Sequence, residues 1–348
     1  MKLTHFFPPV LKAFLTVVLF VSAFSASSQE KTFKASCIAF YNIENLFDTI
    51  DDPNTNDAEF LPDGINRWTA QRYHAKLSNM AKVIAGIGSE MVKGGPAIIG
   101  LSEIENRGVL EDLINTPPLK DMGYSIVHYD SPDARGVDVG LLYKSSAFRV
   151  KNSTSNRLYM PNQPDWKSRD QLVVTGELDG EEISVIVNHW PSRRSGPEYR
   201  AEAARLSRKL SDSLMRINKE AKIFIMGDLN DDPTDRSVMK YLGAKGKKEE
   251  VARGDLFNPM WQLHRDGIGS LAYRDAWNLF DQIIISEPLL SEQGKGWKFY
   301  KAKIYNEKFL IQKEGPFAGY PFRTFAGGAY AGGYSDHFPA YLFIVKEK

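Results

Sequence analysis

Acidic and amide side chains stand at the ends of short apolar runs in this sequence, and residues 221–233 show the arrangement best. The apolar run there reaches Gly227 and is followed by Asp228, Asn230 and a turn-forming Asp-Asp-Pro. The run predicts a buried strand, and period-2 spacing places the side chains of Asp228 and Asn230 on one face of its end. An anionic acceptor beside a neutral amide donor could hold a water molecule next to a phosphate oxygen. Considered alone, the same residues are also typical of an ordinary turn.

Polar residues recur at the ends of five other strand-like runs, which strengthens the chemical interpretation. They are Asn42, Glu103, His189, Asp281 and the triplet Ser335-Asp336-His337. Strands that fold with these ends together would form one polar, metal-binding pocket over an apolar core.

Length and composition fit a single large α/β domain. The chain has 348 residues, of which 43% are hydrophobic, and this is enough for an extensive core. The net charge of +1 excludes a global basic field of the kind that dominates non-specific nucleic-acid binding, although it is compatible with a local basic patch. The single cysteine, Cys37, cannot form an intramolecular disulfide and is predicted to be a small buried hydrophobic residue.

Residues 1–28 have the pattern of a secretory signal peptide. An apolar segment from Ala13 to Phe24 follows a basic start, and Ala23-Phe24-Ser25 fits a small-x-small cleavage site. The apolar segment is shorter than the ~20 residues that a membrane span requires, so no stable membrane span is predicted. We therefore expect a secreted or periplasmic protein whose folded domain covers residues 35–346, and no partner protein is indicated.

The polar strand ends occur in a recognisable order. Together they resemble the motif set of the endonuclease/exonuclease/phosphatase superfamily: Asn42, Glu103, His189, Gly-Asp-Leu-Asn at 227–230, Asp281 and Ser-Asp-His at 335–337. The resemblance runs from about residue 36 to residue 345 and points to an exported, deoxyribonuclease-like member of bacterial type. It implies an α/β fold built as a four-layered sandwich, in which two mixed, mostly antiparallel β-sheets are flanked by helices.

The resemblance also implies a metal site. Glu103 would be the principal ligand, assisted by Asn42 and Asp336. Carboxylate and amide oxygens suit hard ions, so Mg²⁺ or Mn²⁺ is the expected cofactor. A zinc site is the poorer interpretation because the sequence has neither an HExxH helix nor a cysteine pair.

Four further residues are implied to act on the attacking water and the phosphate. Asp228 would align or deprotonate the water, while Asn230 and His337 would hydrogen-bond the non-bridging phosphate oxygens. Asp281 would hold His337 in the required tautomer. Whether the general base is the aspartate or a histidine stays open, since members of the superfamily differ.

Leaving-group and substrate contacts are predicted around His189. Supported by Asp138, it would protonate the leaving oxygen, although an exposed acid on an edge strand is an equal interpretation of Asp138. The Arg193-Arg194 pair follows closely and could clamp the phosphate with planar, fixed donors. We expect at least one of these two arginines to bind substrate. Arg169 could face either the pocket or solvent.

Two aromatic-rich segments are predicted near the pocket. Residues 258–277 carry several aromatic side chains, most of which should pack in the core, while an exposed one could stack on a base or sugar. The Gly-, Phe- and Tyr-rich run 315–333 precedes the Ser-Asp-His triplet and is predicted to be a mobile loop at the pocket mouth.

The predicted activity is metal-dependent hydrolysis of a phosphoester. We favour a secreted or periplasmic nuclease that cleaves phosphodiester bonds in DNA or RNA. The alternative is a phosphatase or phosphodiesterase acting on a phospholipid, an inositol phosphate or a sugar phosphate. A catalytically dead binding module of the same fold is a second alternative. It would be expected to have lost Glu103, Asp228, Asn230 or one of the two histidines, and the sequence retains them all.

Overall fold

The computed structural model describes residues 32–293 and 296–348, so the predicted signal peptide at 1–28 lies outside the described residues. From Phe33 to Lys348 the chain forms one compact unit. Among the helices in this part of the chain, none is both long and apolar enough to cross a membrane.

Strands dominate the secondary structure of the described residues, and a few helices connect them. The strands are β1 (Phe33–Leu46), β2 (Ile98–Ile104), β3 (Tyr124–His128), β4 (Asp138–Lys144), β5 (Phe148–Asn156), β6 (Gln171–Leu178), β7 (Glu181–His189), β8 (Lys222–Asp228), β9 (Ala244–Lys245), β10 (Leu256–Phe257), β11 (Leu271–Tyr273), β12 (Ala276–Asn278), β13 (Asp281–Ser286), β14 (Lys298–Ile304), β15 (Phe325–Ala326), β16 (Ala329–Tyr330) and β17 (Ala340–Glu347). The α-helices are α1 (Ala70–Gly86), α2 (Arg107–Asn115), α3 (Pro197–Ile217) and α4 (Met260–Arg265). Short 3₁₀ turns lie at Ala58–Phe60, Leu119–Asp121, Lys248–Glu250, Glu287–Leu290 and Lys308–Leu310, and Ser237–Leu242 is a π-helix.

These strands assemble into two large sheets and two short hairpins. One sheet has six strands in the order β14-β17-β1-β2-β4-β3, and the other has seven in the order β5-β6-β7-β8-β13-β10-β9. The pairs β1–β2, β7–β8 and β9–β10 are parallel. The remaining neighbours in both sheets are antiparallel. The predicted pair of mixed, mostly antiparallel sheets is therefore confirmed.

Alternating side chains on β7 and β8 show how the layers form. The side chains that enter the large core between the sheets are Val185, Val187, Phe224 and Met226, and those that pack with α3 are Ile186, Ile223 and Ile225. Successive residues of a strand point to opposite faces, so an unbroken apolar run buries both faces of the strand pair. One face meets the other sheet and the other face meets a helix.

Helix α1 packs against the six-stranded sheet. It begins at a capping residue, Thr69, whose side chain accepts a hydrogen bond from the backbone N–H of Arg72. Leu77, Met80 and Ile84 recur at helical spacing and are buried in the main core. The helix ends at Gly86, with Ile87 as its C-terminal capping residue.

The two sheets pack tightly where Gly100 of β2 faces β7 and β8. A Cβ atom added at Gly100 of β2 would lie 2.7 Å from the Sδ of Met226 and 3.0 Å from a methyl carbon of Val187. A side chain at position 100 would therefore push the sheets apart, and glycine permits the contact.

The register of the paired strands places the polar residues at one edge of the sandwich. In the parallel pair β7–β8, His189 lies beside Asp228, and antiparallel β13 begins with Asp281 opposite Asp228. In the other sheet, β1 places Asn42 beside Ser102, one residue before Glu103. The ends of parallel strands share an edge, so both sheets present their acids and amides at the same end of the core.

Candidate active site

The polar strand ends enclose one cavity of about 510 Å³ at the edge of the sandwich. Its lining residues are Asn45, Glu103, Arg135, Arg169, His189, Ser192, Arg194, Asp228, Asn230, Arg323, Asp336 and His337. The structure thus brings together six of the residues singled out in the sequence as catalytic or metal-binding: Glu103, His189, Asp228, Asn230, Asp336 and His337.

Two of these lining residues have strained backbone angles. Glu103 and Asn230 both have left-handed conformations, with φ of +61° and +50°. Such angles are costly for residues other than glycine and persist where the surroundings enforce them, which is common at functional sites. At Glu103 the pairing of β2 with β4 shifts register. Its Oε2 accepts a hydrogen bond from the backbone N–H of Asn45 at 3.1 Å.

Asp228 is the buried acid at the centre of the site. One of its oxygens accepts from the side-chain amide of Asn42 at 3.0 Å, and the other accepts from the backbone N–H of Asn230 at 2.9 Å. Burial raises the pKa of Asp228 to about 6, although the neighbouring His337 opposes the shift. A carboxylate with a pKa near neutrality is well suited to accept a proton during a reaction.

His337 forms a tight pair with Asp281. The Nδ1 of His337 lies 2.6 Å from Oδ2 of Asp281, and the hydroxyl of Ser270 donates to the same oxygen. Burial opposes a charge on His337, but Asp281, Asp336 and Asp228 outweigh it and raise the pKa of His337 well above its usual value. The ring is therefore a cation whose Nε2 faces Asp228, 3.9 Å from its Oδ2.

His189 lies across the cavity in the opposite state. Its Nε2 is 3.6 Å from Oδ2 of Asp228 and 3.9 Å from Oε1 of Glu103. Burial, followed by the positive charges of Arg169 and Arg135, lowers the pKa of His189 well below its usual value. His189 is thus neutral. Within the described residues its buried Nδ1 has no hydrogen-bond partner, and an Nε2 that faces two carboxylates is the nitrogen expected to carry the proton.

The predicted support of His189 by Asp138 is wrong. Oδ2 of Asp138 lies 2.9 Å from the Nε2 of His128, and Oδ1 accepts from the backbone N–H of Ser131 at 2.7 Å. The reason is strand pairing, because His128 lies opposite Gly140, two residues along β4 from Asp138. Asp138 lines a neighbouring acidic pocket instead, and with Asp130 and His128 it brings three ligand-type atoms within 4.8 Å.

Asn42 holds Asp228 in place and does not line the cavity. Its side-chain oxygen accepts from the backbone N–H of Glu44 at 3.0 Å, while its amide nitrogen donates to Asp228. Both ends of the amide are therefore used within the protein, and only 1% of the residue is exposed. These contacts give Asn42 a positioning role toward Asp228, and its metal-ligand role stays a prediction.

The two predicted substrate arginines divide into one that faces the cavity and one that does not. Arg194 lines the cavity. The guanidinium of Arg193 instead bonds to Asp232 at 3.0 Å and Asp235 at 2.8 Å, and it lies 4.4 Å from the centre of the Phe280 ring. Arg193 is therefore committed to the acidic loop after β8, and Arg194 is the member of the pair that lines the cavity.

Three more arginines surround the cavity, and the sequence analysis gave none of them a role. Arg169 is buried, with its guanidinium 3.1 Å from Asp133 and 2.7 Å from the carbonyl of Trp190. Arg135 approaches Glu103, with 3.7 Å between Nη2 and Oε1, and Arg323 donates to Asp336 at 2.9 Å. Arg135 and Arg323 lie on loops without strand-end motifs, so only a folded structure could reveal their convergence.

A buried ion pair beneath the cavity was also missed. Glu44 accepts from the backbone N–H of Thr324 at 2.7 Å, and its Oε2 lies 4.0 Å from the Nζ of Lys76 on α1. Lys76 donates to the hydroxyl of Thr324 at 2.7 Å. Burial raises the pKa of Glu44 to about 7 and lowers the pKa of Lys76 to about 8. These contacts tie the run 315–333, predicted to be a mobile loop, to α1 and β1.

The donor set in the cavity fits a hard divalent cation. The oxygen ligands that line it are the carboxylates of Glu103 and Asp336, next to the central Asp228. The single thiol is far from this chemistry, since Cys37 is fully buried in the core. Oxygen ligands without thiolate favour Mg²⁺ or Mn²⁺ over softer metals.

Comparisons with known proteins agree with this architecture. The model of the Endonuclease/Exonuclease/phosphatase family matches residues 37–346. No curated protein matches the chain.

Three solved structures share the fold at low sequence identity. An endonuclease/exonuclease/phosphatase family protein from Bacteroides thetaiotaomicron is 17% identical with a TM-score of 0.55, and the match covers 91% of this chain and 97% of that one. TDP2 from D. rerio, complexed with a single-strand DNA product, is 13% identical with a TM-score of 0.53 over 89% and 98% of the two chains. A mannosyl-6-phosphatase from Bacteroides thetaiotaomicron is 16% identical with a TM-score of 0.52 over 89% and 99%.

The family model accounts for nearly all of the folded unit, and the two-sheet sandwich carries its polar residues where the ordered motifs predicted them. The resemblance seen in the sequence is thus confirmed. This chain belongs to the Endonuclease/Exonuclease/phosphatase family, whose members hydrolyse phosphoester bonds with the aid of a divalent metal ion.

Proposed function

We propose that this chain is an exported nuclease that cleaves phosphodiester bonds in DNA or RNA with Mg²⁺ or Mn²⁺. The observation that carries the proposal is the arrangement around Asp228: a neutral imidazole, a cationic imidazole and the carboxylate of Glu103 converge on one cavity ringed by arginines. This is the set of groups that in-line attack of water on a phosphodiester requires.

Asp228 is the group proposed to align and deprotonate the attacking water. Its carboxylate is held by Asn42 and by the backbone N–H of Asn230, so its orientation is fixed before substrate arrives. Because its pKa is about 6, Asp228 is mainly ionised at neutral pH and can still accept a proton from an activated water.

The phosphate is proposed to bind between His337 and Arg194. His337 carries a positive charge, and Arg194 also lines the cavity and contributes a guanidinium. Asn230 adds an amide whose Nδ2 is fixed by the carbonyl of Trp190 at 2.9 Å. Preorganised donors of this kind stabilise the charge that builds on the non-bridging oxygens in the transition state.

His189 is proposed to act on the leaving oxygen. As a neutral imidazole with its proton on Nε2, it can donate to the oxygen as negative charge develops there. A divalent ion held by Glu103 and Asp336 would offset the negative charge of the phosphate and polarise its P–O bonds.

Two observations favour a nucleic-acid substrate. A nuclease is supported by the arginines that line the cavity and by the single-strand DNA product bound to one structural neighbour. The alternative, a phosphatase acting on a small sugar phosphate, is supported by the neighbour named as a mannosyl-6-phosphatase. Export is supported by the signal-peptide pattern at residues 1–28.

The proposal is tested by assaying the purified chain on DNA, RNA, a lysophospholipid, sphingomyelin, inositol phosphates and mannose 6-phosphate, each at low and physiological salt. We expect cleavage of a nucleic acid that EDTA abolishes and Mg²⁺ or Mn²⁺ restores. The Glu103→Gln variant should be inactive on every substrate that the wild type cleaves. Turnover of a small phosphoester without cleavage of either nucleic acid would reject the nuclease and retain the phosphoesterase.

A further inference from the structure

A second cavity of about 340 Å³ opens beside the catalytic one. Three aromatic side chains, Tyr273, Phe317 and Tyr320, form much of its wall, and Arg323 and Asp336 belong to both cavities. A ligand could therefore reach from the catalytic groups into this second space by passing Arg323. Nothing in the catalytic steps described above uses it.

The aromatic wall is exposed at its rim and rigid behind. Tyr273 is 62% exposed and Phe317 is 37% exposed, so both rings are accessible to a ligand. Behind them, Tyr320 is held by Asp275, whose backbone N–H donates to the Tyr320 hydroxyl at 2.7 Å and whose carboxylate accepts from it at 2.7 Å. Ring surfaces fixed in this way are prepared for stacking.

The aromatic wall is also linked to the catalytic histidine. Tyr320 of the wall contacts Trp277, with 6.3 Å between the ring centres. Trp277 in turn stacks on Phe338, with ring centres 6.0 Å apart and 13° between the planes. Phe338 directly follows His337 in the chain. The position of the wall is therefore fixed relative to the phosphate-binding side of the catalytic cavity.

A strained hairpin forms one edge of the second cavity, and hydrogen bonds to Tyr320 stabilise it. The hairpin of β11 and β12 turns at Arg274 and Asp275, whose φ angles are +50° and +63°. Two-residue turns with positive φ at both positions normally use Asn-Gly or Asp-Gly, so Arg-Asp is a costly choice here. The double hydrogen bond between Asp275 and Tyr320 supplies the compensation. It also leaves the guanidinium of Arg274 over the ring of Tyr273, 5.2 Å from its centre.

We propose that this second cavity is a nucleobase subsite, which stacks the base of the nucleotide whose phosphate lies in the catalytic cavity. The proposal rests on the proposed nuclease function and names the part of the substrate that the enzyme grips. Flat aromatic rings flanked by arginines suit a planar base, because stacking and cation–π contacts act on any base regardless of sequence. The sharing of Arg323 between the cavities fits a base that is covalently joined to the phosphate.

Binding of two matched phosphates tests the subsite. With Mg²⁺ present, calorimetry would compare 2′-deoxyadenosine 5′-monophosphate with 2-deoxyribose 5-phosphate, which lacks the base. Stacking of one base on aromatic rings is worth roughly 1–3 kcal/mol, so the nucleotide should bind about 5- to 150-fold more tightly to the wild type. Tyr273→Ala and Phe317→Ala should each reduce this ratio markedly while leaving the affinity for 2-deoxyribose 5-phosphate unchanged.

The control variant is Tyr300→Ala, which removes an exposed ring on β14 that does not line the cavity. It should keep the wild-type ratio. Tyr320 is left intact because its hydroxyl holds the strained hairpin. Equal affinities of the wild type for the two phosphates, or an unchanged ratio in both rim variants, would overturn the subsite.

Two further results separate the possible failures. Tighter binding of mannose 6-phosphate than of the nucleotide would reject a base in favour of a sugar ring, and so overturn the subsite as proposed. Release of inorganic phosphate from the nucleotide during the titration would count against the nuclease and not against the subsite. The preference for a base would then be measured as the ratio of the KM values of 2-deoxyribose 5-phosphate and the nucleotide.

Discussion

The two histidines that line the catalytic cavity, His337 and His189, differ in charge, although both rings are buried. His337 is paired at 2.6 Å with Asp281 and has a raised pKa, whereas His189 stands near Arg169 and Arg135 and has a lowered pKa. Burial alone would lower the pKa of both rings. The difference therefore shows that the charged side chains placed around each ring decide its state.

This contrast gives the cavity two complementary halves. On one side a cationic ring, His337, can bind the phosphate, and on the other a neutral ring, His189, can act where the leaving oxygen departs. Asp228 lies between them, 3.9 Å from the first Nε2 and 3.6 Å from the second. The separation of roles follows the general pattern in which neighbouring titratable groups are driven to different protonation states.

The largest expected effect is on catalysis. His189→Ala and His337→Ala should each lower kcat by roughly 10²-fold or more, which is the scale for a lost acid–base group or oxyanion donor. The assay is Mg²⁺-dependent hydrolysis of bis-(p-nitrophenyl) phosphate. His264→Ala, on α4 outside the cavity, serves as the control and should retain activity. Near-normal activity of either cavity variant would assign that ring a purely structural role.

The same two substitutions should differ in their effect on stability. His337→Ala leaves the fully buried Asp281 without its partner, and an unpaired buried charge costs about 3–5 kcal/mol. His189 makes no hydrogen bond through Nδ1 among the described residues, so His189→Ala should cost less. Denaturant unfolding measures both free energies. The double variant His337→Ala/Asp281→Asn should recover much of the loss, and failure to do so would mean that packing is the cause.

The charge on His337 depends on Asp281, and this can be tested through pH. Asp281→Asn removes the negative charge that raises the pKa of His337. The cation should then be lost at lower pH, so the alkaline limb of the kcat profile should move to lower pH, as expected when a nearby negative charge is removed. An alkaline limb that stays in place would show that the protonated form of His337 is not required.

The adjacent residues Arg193 and Arg194 allow a second comparison, because the first bonds to the acidic loop after β8 and the second lines the cavity. Arg193→Ala removes contacts to Asp232 and Asp235 and should destabilise the loop after β8, with little change in the salt dependence of catalysis. Arg194→Ala should leave stability near the wild-type value. On nucleic acid, kcat/KM of this variant should fall less steeply with added salt. The slope of log kcat/KM against log salt concentration should decrease by about the amount that one phosphate contact contributes. Equal slopes in the two variants would remove Arg194 from the substrate site.

Sequence reasoning succeeded where chemistry coincides with regular structure. Glu103, His189 and Asp228 each follow an apolar run, so the end of a strand and the position of the functional group are marked by the same residues. The sandwich was implied by the family resemblance that those runs and their order carry. The family resemblance supplied the roles that the runs alone could not.

The residues that were misassigned or missed depend on long-range packing. The partner of Asp138 was decided by the register of β3 against β4, which brings His128 to its carboxylate. Lys76 lies on the apolar face of α1, where its spacing suggests a core residue, yet it reaches Thr324 in a loop 248 positions away. Neither contact leaves a local signal, because the partners meet only after the sheets and α1 have packed.

The smallest expected effect is at Asp138. Its carboxylate bonds to His128 and to the backbone of Ser131, in a pocket beside the catalytic one. Asp138→Asn keeps the side chain's shape and can still accept from Ser131, so it should lower stability by about 1 kcal/mol, the usual value of one hydrogen bond. Its kcat should stay within roughly threefold of the wild type, because the variant removes no group that contacts the substrate. A fall of kcat comparable to that of His189→Ala, at unchanged stability, would restore Asp138 as the residue that orients His189.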